Sequence, residues 1–302
     1  MKYRWISKER VKFMSMCSVK RVAAIHDLSG FGRASLTVVI PIISSMNHQV
    51  CPMPTAVLST HTGGFKDYSF VDLTDSMVAF AEHWKKLNLD FDCIYSGFLG
   101  SVKQIDILDK FIDDMKRDYT LTVVDPVLGD NGKLYDTMNE EMVKKMRVLI
   151  KKADIITPNY TEAVLLLGEE YSQEISEDKI KDWLKRLSDM GPKIVIITSV
   201  PHKNNMTDVI AYNREDGRFW KVSCVYIPAH FPGTGDMFTS VIVGSMLKGD
   251  SLPMALDRGV QFITAAIRAS YGFVYPQREG VLLEKVLDNL KLPVLNSSYE
   301  LI

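Results

Sequence analysis

Gly233-Thr234-Gly235-Asp236 stands at the start of a helix-period stretch, a placement suited to the charge of a transferring phosphoryl group. Two glycines let the backbone approach a ligand closely, and successive amide N–H groups at a helix N-terminus form an anion site. Asp236, in the first turn, then sits beside that site. The tetrapeptide also reads as a plain turn whose aspartate complements the helix macrodipole, and by itself it leaves both readings open. No GxxxxGK followed by Ser or Thr occurs, and Gly30-Phe31-Gly32 lacks the third glycine of GxGxxG. A P-loop and a dinucleotide site are therefore disfavoured.

Asn159-Tyr160-Thr161-Glu162 opens a second helix-like stretch behind Pro158. With Asp125 on a neighbouring strand end, Asn159 and Glu162 would place oxygen ligands where hydrated magnesium could sit. The competing reading is a capping box, with Asn159 as the cap and Glu162 reaching back, and local sequence favours it. His26-Asp27-Leu28-Ser29-Gly30, Thr157 and Thr198-Ser199 complete the polar clusters that follow apolar runs. His26 and His61 show no metal-ligand spacing, which points to structural or supporting roles.

These clusters follow short β-branched runs, RVAAIH, FDCIYSG, TLTVVD, DIITP and KIVIITS, that alternate with helix-period segments such as QIDILDKFIDDMKR and EDKIKDWLKRLSDM. Continuous Val/Ile runs fit strands buried on both faces of a parallel sheet, whose carboxyl ends are where ligands bind. Around REDG the rhythm breaks into an expected antiparallel hairpin at 206–226. Three helix-like stretches are expected after it, the last being VLLEKVLDNL. No linker divides residues 20–292, so one three-layer α/β domain is expected, with 1–19 an extension and 293–302 a tail.

Composition narrows the classes. Hydrophobic residues make up 46% and charged residues 24%, with a net charge of -1, so neither disorder nor a phosphate-coating basic surface is indicated. Nucleic acid is a poor partner. No apolar run reaches membrane-span length, and four dispersed cysteines without a CxxC pair fit a reducing cytoplasm. The 15 methionines read as core filler.

Ser96-Gly97-Phe98-Leu99-Gly100-Ser101, Asp125-Pro126-Val127-Leu128-Gly129-Asp130, Ala153-Asp154-Ile155-Ile156-Thr157-Pro158-Asn159 with Glu162, Met190-Gly191-Pro192 before Val195-Ile196-Ile197-Thr198-Ser199, and Gly233-Thr234-Gly235-Asp236 follow one another in an order and spacing that resembles the pyridoxal kinases of the ribokinase-like superfamily. The resemblance covers residues 20 to about 290. It implies a ribokinase-like α/β/α sandwich with a mostly parallel sheet, ATP and magnesium, a homodimer, and phosphorylation of the 5′-hydroxymethyl group of a B6 vitamer. It leaves open whether a monovalent cation takes part. By the same resemblance Asp236 matches the catalytic base and Gly233, Thr234 and Gly235 the anion hole. Asp125 and Glu162 match the acidic positions around metal and phosphates, Thr157, Asn159, Thr198 and Ser199 the nucleotide side, and Thr62 and Phe98 the substrate side.

There is one departure. Asp27 stands where many pyridoxal kinases carry serine, and it is similar instead to the hydroxymethylpyrimidine kinases of the superfamily. At the end of the first strand, opposite Thr62 and near Phe98, it is expected to bind substrate by accepting a hydrogen bond from the protonated ring nitrogen of a vitamer, the alternative being that it only ties down its glycine-containing loop. That activity is the first alternative, although those enzymes usually end the anion-hole motif in Cys rather than Asp. A non-catalytic nucleotide-binding protein on the same fold is the second.

Overall fold

The computed structural model describes residues 19–202, 206–294 and 297–302, so most of the proposed amino-terminal extension lies outside the described residues. A ten-stranded sheet runs through the molecule in the order β12-β11-β10-β9-β8-β5-β4-β1-β2-β3. Its parallel centre comprises β1 (Arg21–Phe31), β2 (Gln49–Thr60), β4 (Cys93–Ser96), β5 (Leu121–Val124), β8 (Ile155–Ile156) and β9 (Ile194–His202). At one edge β3 (Phe70–Asp72) pairs antiparallel with β2. At the other, β10 (Met206–Asn213) and β11 (Arg218–Val225) form the expected hairpin beside β9. A separate ribbon joins β6 (Gly129–Asp130) to β7 (Lys133–Leu134).

Successive residues of β1 serve opposite cores. Ala23 and Ile25 join one buried cluster with Phe111, Leu149 and Trp183, while Val22 and Ala24 join a second with Phe238, Ile242 and Leu256. The first core lies under α2 (Thr74–Lys86), α3 (Val102–Met115), α4 (Glu140–Leu149), α5 (Tyr160–Leu167) and α6 (Glu177–Asp189). The second lies under α1 (Leu36–Ser45), α7 (Thr234–Lys248) and α8 (Leu252–Tyr271). This double covering is why the central strands read as unbroken apolar runs.

Two expectations change. VLLEKVLDNL forms short 3-10 turns at Leu283–Lys285 and Leu287–Lys291 rather than an α-helix. Val286, at φ -123°, interrupts the helical backbone while Val281, Leu283, Val286 and Leu290 pack into a third apolar cluster. The segment expected as a tail returns to the sheet, where β12 (Tyr299–Leu301) pairs antiparallel with β11. Tertiary contact, not local pattern, decides both.

Candidate functional site

Strand order reverses at β1, whose successor β2 lies on one side and β4 on the other. A crevice therefore opens at the carboxyl ends of β1 and β4, as expected at a topological switch point. Helix α7 enters there. Its N-cap Gly233 is left-handed at φ 83° with no side-chain cap, so the first-turn amides stay available. A Cβ on Gly233 would lie 2.2 Å from the Arg33 carbonyl oxygen, so only glycine lets the two segments pack. The Thr234 hydroxyl donates to the Phe231 carbonyl at 3.1 Å, and Gly235 is exposed.

Asp236 lies in the first turn of α7, its side chain 13% exposed. The Ser35 backbone N–H donates to its Oδ2 at 2.9 Å, and Nδ1 of His26 faces its Oδ1 at 3.7 Å. From below, the Tyr95 hydroxyl donates to the Asp236 carbonyl at 3.2 Å. Asp27 is buried in the same crevice. Its Oδ2 accepts the Ser29 hydroxyl at 3.0 Å and its Oδ1 the Ser35 hydroxyl. Burial pushes the Asp27 carboxyl above its usual range and the charge of Asp236 adds to this, while the two serine hydroxyls oppose it.

Asp125 follows directly on β5 and is buried. Thr239, one turn beyond Asp236 on α7, donates to the Thr157 hydroxyl at 2.9 Å and lies 3.5 Å from Asp125 Oδ2. Burial drives Asp125 well above its ordinary value, with the charges of Glu162 and Asp236 adding to the rise and the Thr239 and Thr157 hydroxyls opposing it. The Asn159–Glu162 capping box forms in full at the start of α5. Glu162 accepts the Asn159 N–H on Oε2 at 2.8 Å and the Leu128 N–H on Oε1 at 3.1 Å, yet burial still pushes it up to about 8. The cap thus carries its glutamate into the acidic pocket beside Asp125.

Among the described residues no group of three or more His, Cys, Asp and Glu side chains forms a self-sufficient metal cage. Two buried carboxylates with raised values fit a magnesium ion that takes its remaining oxygens from water and phosphate, since a nearby cation favours their ionised form. Asp125 is the more available of the two, because both Glu162 oxygens already accept a backbone N–H.

Asn159 also bridges to Thr198 in parallel register, and its Nδ2 donates to the Gly129 carbonyl at 2.9 Å. Ser199 is exposed at φ 57°, at the irregularity between β9 and β10. On the β2 side, Thr62 is exposed after His61, whose Nε2 donates to the Arg278 carbonyl at 2.7 Å while Nδ1 accepts the Gly63 N–H. Phe98 is half-buried beyond β4, its carbonyl accepting the Thr55 hydroxyl at 3.2 Å. The crevice so gathers Asp27, Asp125, Glu162 and Asp236, with Thr157 joined through Thr239. Two cavities, of about 200 and 580 Å³, lie away from it, around the amino ends of β5 and β9.

Ser35, Thr239 and Tyr95 carry contacts that motif reading does not single out. Ser35 was findable as a Ser just before an apolar helical run, a position that favours an N-cap. Its link to Asp236, 201 positions away, has no local signal.

Residues 35–278 match the phosphomethylpyrimidine kinase family. A crystal structure of a candidate phosphomethylpyrimidine kinase from Bacteroides thetaiotaomicron, in a form with pyridoxal, is 58% identical and superposes with a TM-score of 0.92, covering 94% of this chain and 100% of that one. The pyridoxal kinase structure from Lactobacillus plantarum is 31% identical, with a TM-score of 0.83 over 90% of this chain and 97% of that one. The pyridoxal kinase of Arabidopsis thaliana is 29% identical over 74% of this chain and 73% of its own length.

Proposed function

The chain belongs to the phosphomethylpyrimidine kinase family, and on that premise we propose that it transfers the γ-phosphoryl group of ATP to the 5′-hydroxymethyl group of a B6 vitamer, giving the 5′-phosphate and ADP. The observation that carries this reading is the Asp236 carboxylate, held by the Ser35 amide beside an uncapped helix N-terminus at the strand switch point. Substrate choice rests on similarity to a structure that contains pyridoxal and to pyridoxal kinases.

The vitamer hydroxyl lies in line with the γ-phosphoryl group, and Asp236 accepts its proton as transfer proceeds. The amides of Gly233, Thr234 and Gly235 meet the charge that develops on the moving group. Magnesium, when bound, neutralises phosphate oxygens; Asp125 and Glu162 would hold it, partly through water. Thr157, Asn159, Thr198 and Ser199 line the nucleotide side, and Thr62 and Phe98 the vitamer ring. Asp27 borders the substrate side and acts there through its loop.

No helix among the described residues is long and apolar enough to cross a membrane. The free thiols of Cys51, Cys93 and Cys224 support a place in a reducing cytoplasm. A homodimer belongs to the same proposal, with exposed Phe70 and Val71 on the β3 edge strand offering apolar surface for it.

An ADP-release assay over pyridoxal, pyridoxine, pyridoxamine, hydroxymethylpyrimidine and ribose tests the reading. Turnover should be greatest with a B6 vitamer, and Asp236→Asn should lower kcat by ~10²–10⁴ while ATP binding persists. Greater kcat/KM for hydroxymethylpyrimidine would move the assignment to that substrate, and an unaffected Asp236→Asn would remove the base.

A further inference from the structure

His26 is fully buried, and neither ring nitrogen has a hydrogen-bond partner. Such a residue is unusual, because desolvating polar atoms without partners is unfavourable and most buried ones are satisfied. The ring is not randomly aimed. Its Nδ1 faces Asp236 Oδ1 at 3.7 Å, just beyond hydrogen-bond reach. Tyr95, which donates to the Asp236 carbonyl, packs edge-on against the imidazole with ring centroids 4.4 Å apart.

Gly97 keeps the space between the two groups clear. A Cβ there would lie 2.4 Å from His26 Nδ1 and 3.4 Å from Asp236 Oδ1. Any side chain at 97 would therefore displace the imidazole or come between it and the carboxylate. On the other side, Oδ2 of Asp236 already accepts the Ser35 amide, which leaves Oδ1 as the unheld oxygen.

We propose that His26 is a positioning residue for Asp236, its Nδ1–H donating to Oδ1 when the carboxylate turns toward the substrate hydroxyl. Held by Ser35 at one oxygen and His26 at the other, the carboxylate keeps one orientation and presents a remaining lone pair to the proton it accepts. The proposal rests on the reading of Asp236 as the base. It requires the tautomer that carries hydrogen on Nδ1, which leaves Nε2 buried without a partner. A space-filling role makes the opposite demand, since an apolar side chain of similar size would then serve as well.

Three substitutions separate these roles. Asparagine retains an N–H donor near the Nδ1 position, glutamine reaches toward Nε2, and leucine keeps bulk alone. His26→Leu and His26→Gln should lower kcat by about tenfold or more with KM for vitamer and ATP within about twofold, and His26→Asn should recover most of the loss. Full turnover in His26→Leu, or equal losses in all three, overturns the proposal. In the unaltered protein, ¹⁵N-edited NMR of the histidine ring should show hydrogen on Nδ1 of His26, and hydrogen on Nε2 alone would overturn it too. Asp236→Asn is measured beside them. If it retains full turnover, the base assignment itself fails; if it is inactive while His26→Leu is fully active, only the present inference fails.

Discussion

The backbone N–H of Ser35 donates to Oδ2 of Asp236 at 2.9 Å, joining the start of α1 to the start of α7 across 201 positions of sequence. The hydroxyl of the same residue donates to Asp27, so one serine holds two aspartates that would otherwise repel. Ser35 adopts φ 53° and ψ -134°, a backbone region that costs a non-glycine residue about 1–3 kcal/mol. That strain is offset by the two contacts. The orientation of Asp236 therefore depends on the loop between β1 and α1 as well as on its own helix.

Asp27→Ala tests that dependence. Loss of the carboxylate releases the Ser29 and Ser35 hydroxyls, so the loop should loosen, Tm should fall, and kcat should drop about tenfold with vitamer KM within about twofold. A direct contact of Asp27 with the substrate ring gives another pattern. A roughly tenfold rise in vitamer KM at unchanged Tm, equivalent to ~1.4 kcal/mol of binding, would assign that contact instead.

The acidic pair makes stability depend on pH in the direction opposite to ordinary carboxylates. Burial raises Asp125 and brings Glu162 to about 8 from a usual 4.5. Between those values the folded chain binds more protons than the unfolded one, so stability present below pH 4.5 is lost as pH rises through about 8. In the absence of nucleotide and magnesium, Tm should decline from pH 5 to pH 8.5, and Glu162→Gln should flatten the decline. Magnesium should raise Tm more at the upper pH, and half-maximal rate should require more of it in Glu162→Gln. Identical pH profiles for the two proteins would show that Glu162 is ionised throughout and acts as a cap alone.

The sheet was legible because its central strands are apolar on both faces, as Val22, Ala23, Ala24 and Ile25 illustrate. The edge was not. Tyr299, Glu300 and Leu301 are too few to show a period, and their pairing with Trp220, Lys221 and Val222 comes from a distant strand. At the site, Asp236, Asp125 and Glu162 announced themselves by position after strands or before helices. The cap and metal readings of Glu162 looked like rivals in sequence, but the folded capping box points the same carboxyl group into the pocket of Asp125. The link from Ser35 to Asp236 stayed hidden because it is made by a backbone N–H, which every residue but proline carries.

Gly233→Ala should damage both fold and turnover. Its φ of 83° is strained for any residue with a side chain, and the added methyl would meet the Arg33 carbonyl at 2.2 Å. Arg33 precedes Ser35 by two residues, so relief of the clash shifts the loop that holds Asp236. A kcat loss of ~10² or more and a Tm lower by several degrees are expected. Wild-type kinetics in this variant would mean that the helix N-terminus has latitude to move without consequence for transfer.

Truncation after residue 296 tests whether the carboxyl end belongs to the fold. Ser298 donates its hydroxyl to Asp257 Oδ1 at 2.7 Å, and its backbone N–H lies 3.3 and 3.4 Å from the two carboxylate oxygens. Asp257 is fully buried on α8, so the truncated chain leaves a desolvated carboxylate without these donors. Hydrogen bonds to a charged group contribute ~1.5–3 kcal/mol each, and removal of Tyr299 also strips an edge-on partner, 5.7 Å away, from the Trp220 ring. At roughly 2–4 °C per kcal/mol for a chain of this size, Tm should fall by about 5 °C or more. Asp257→Asn in the truncated chain should recover part of the loss, because a neutral amide is less costly to bury than a carboxylate. A truncated protein that melts with the full-length chain would show that β12 pairs with β11 without stabilising it.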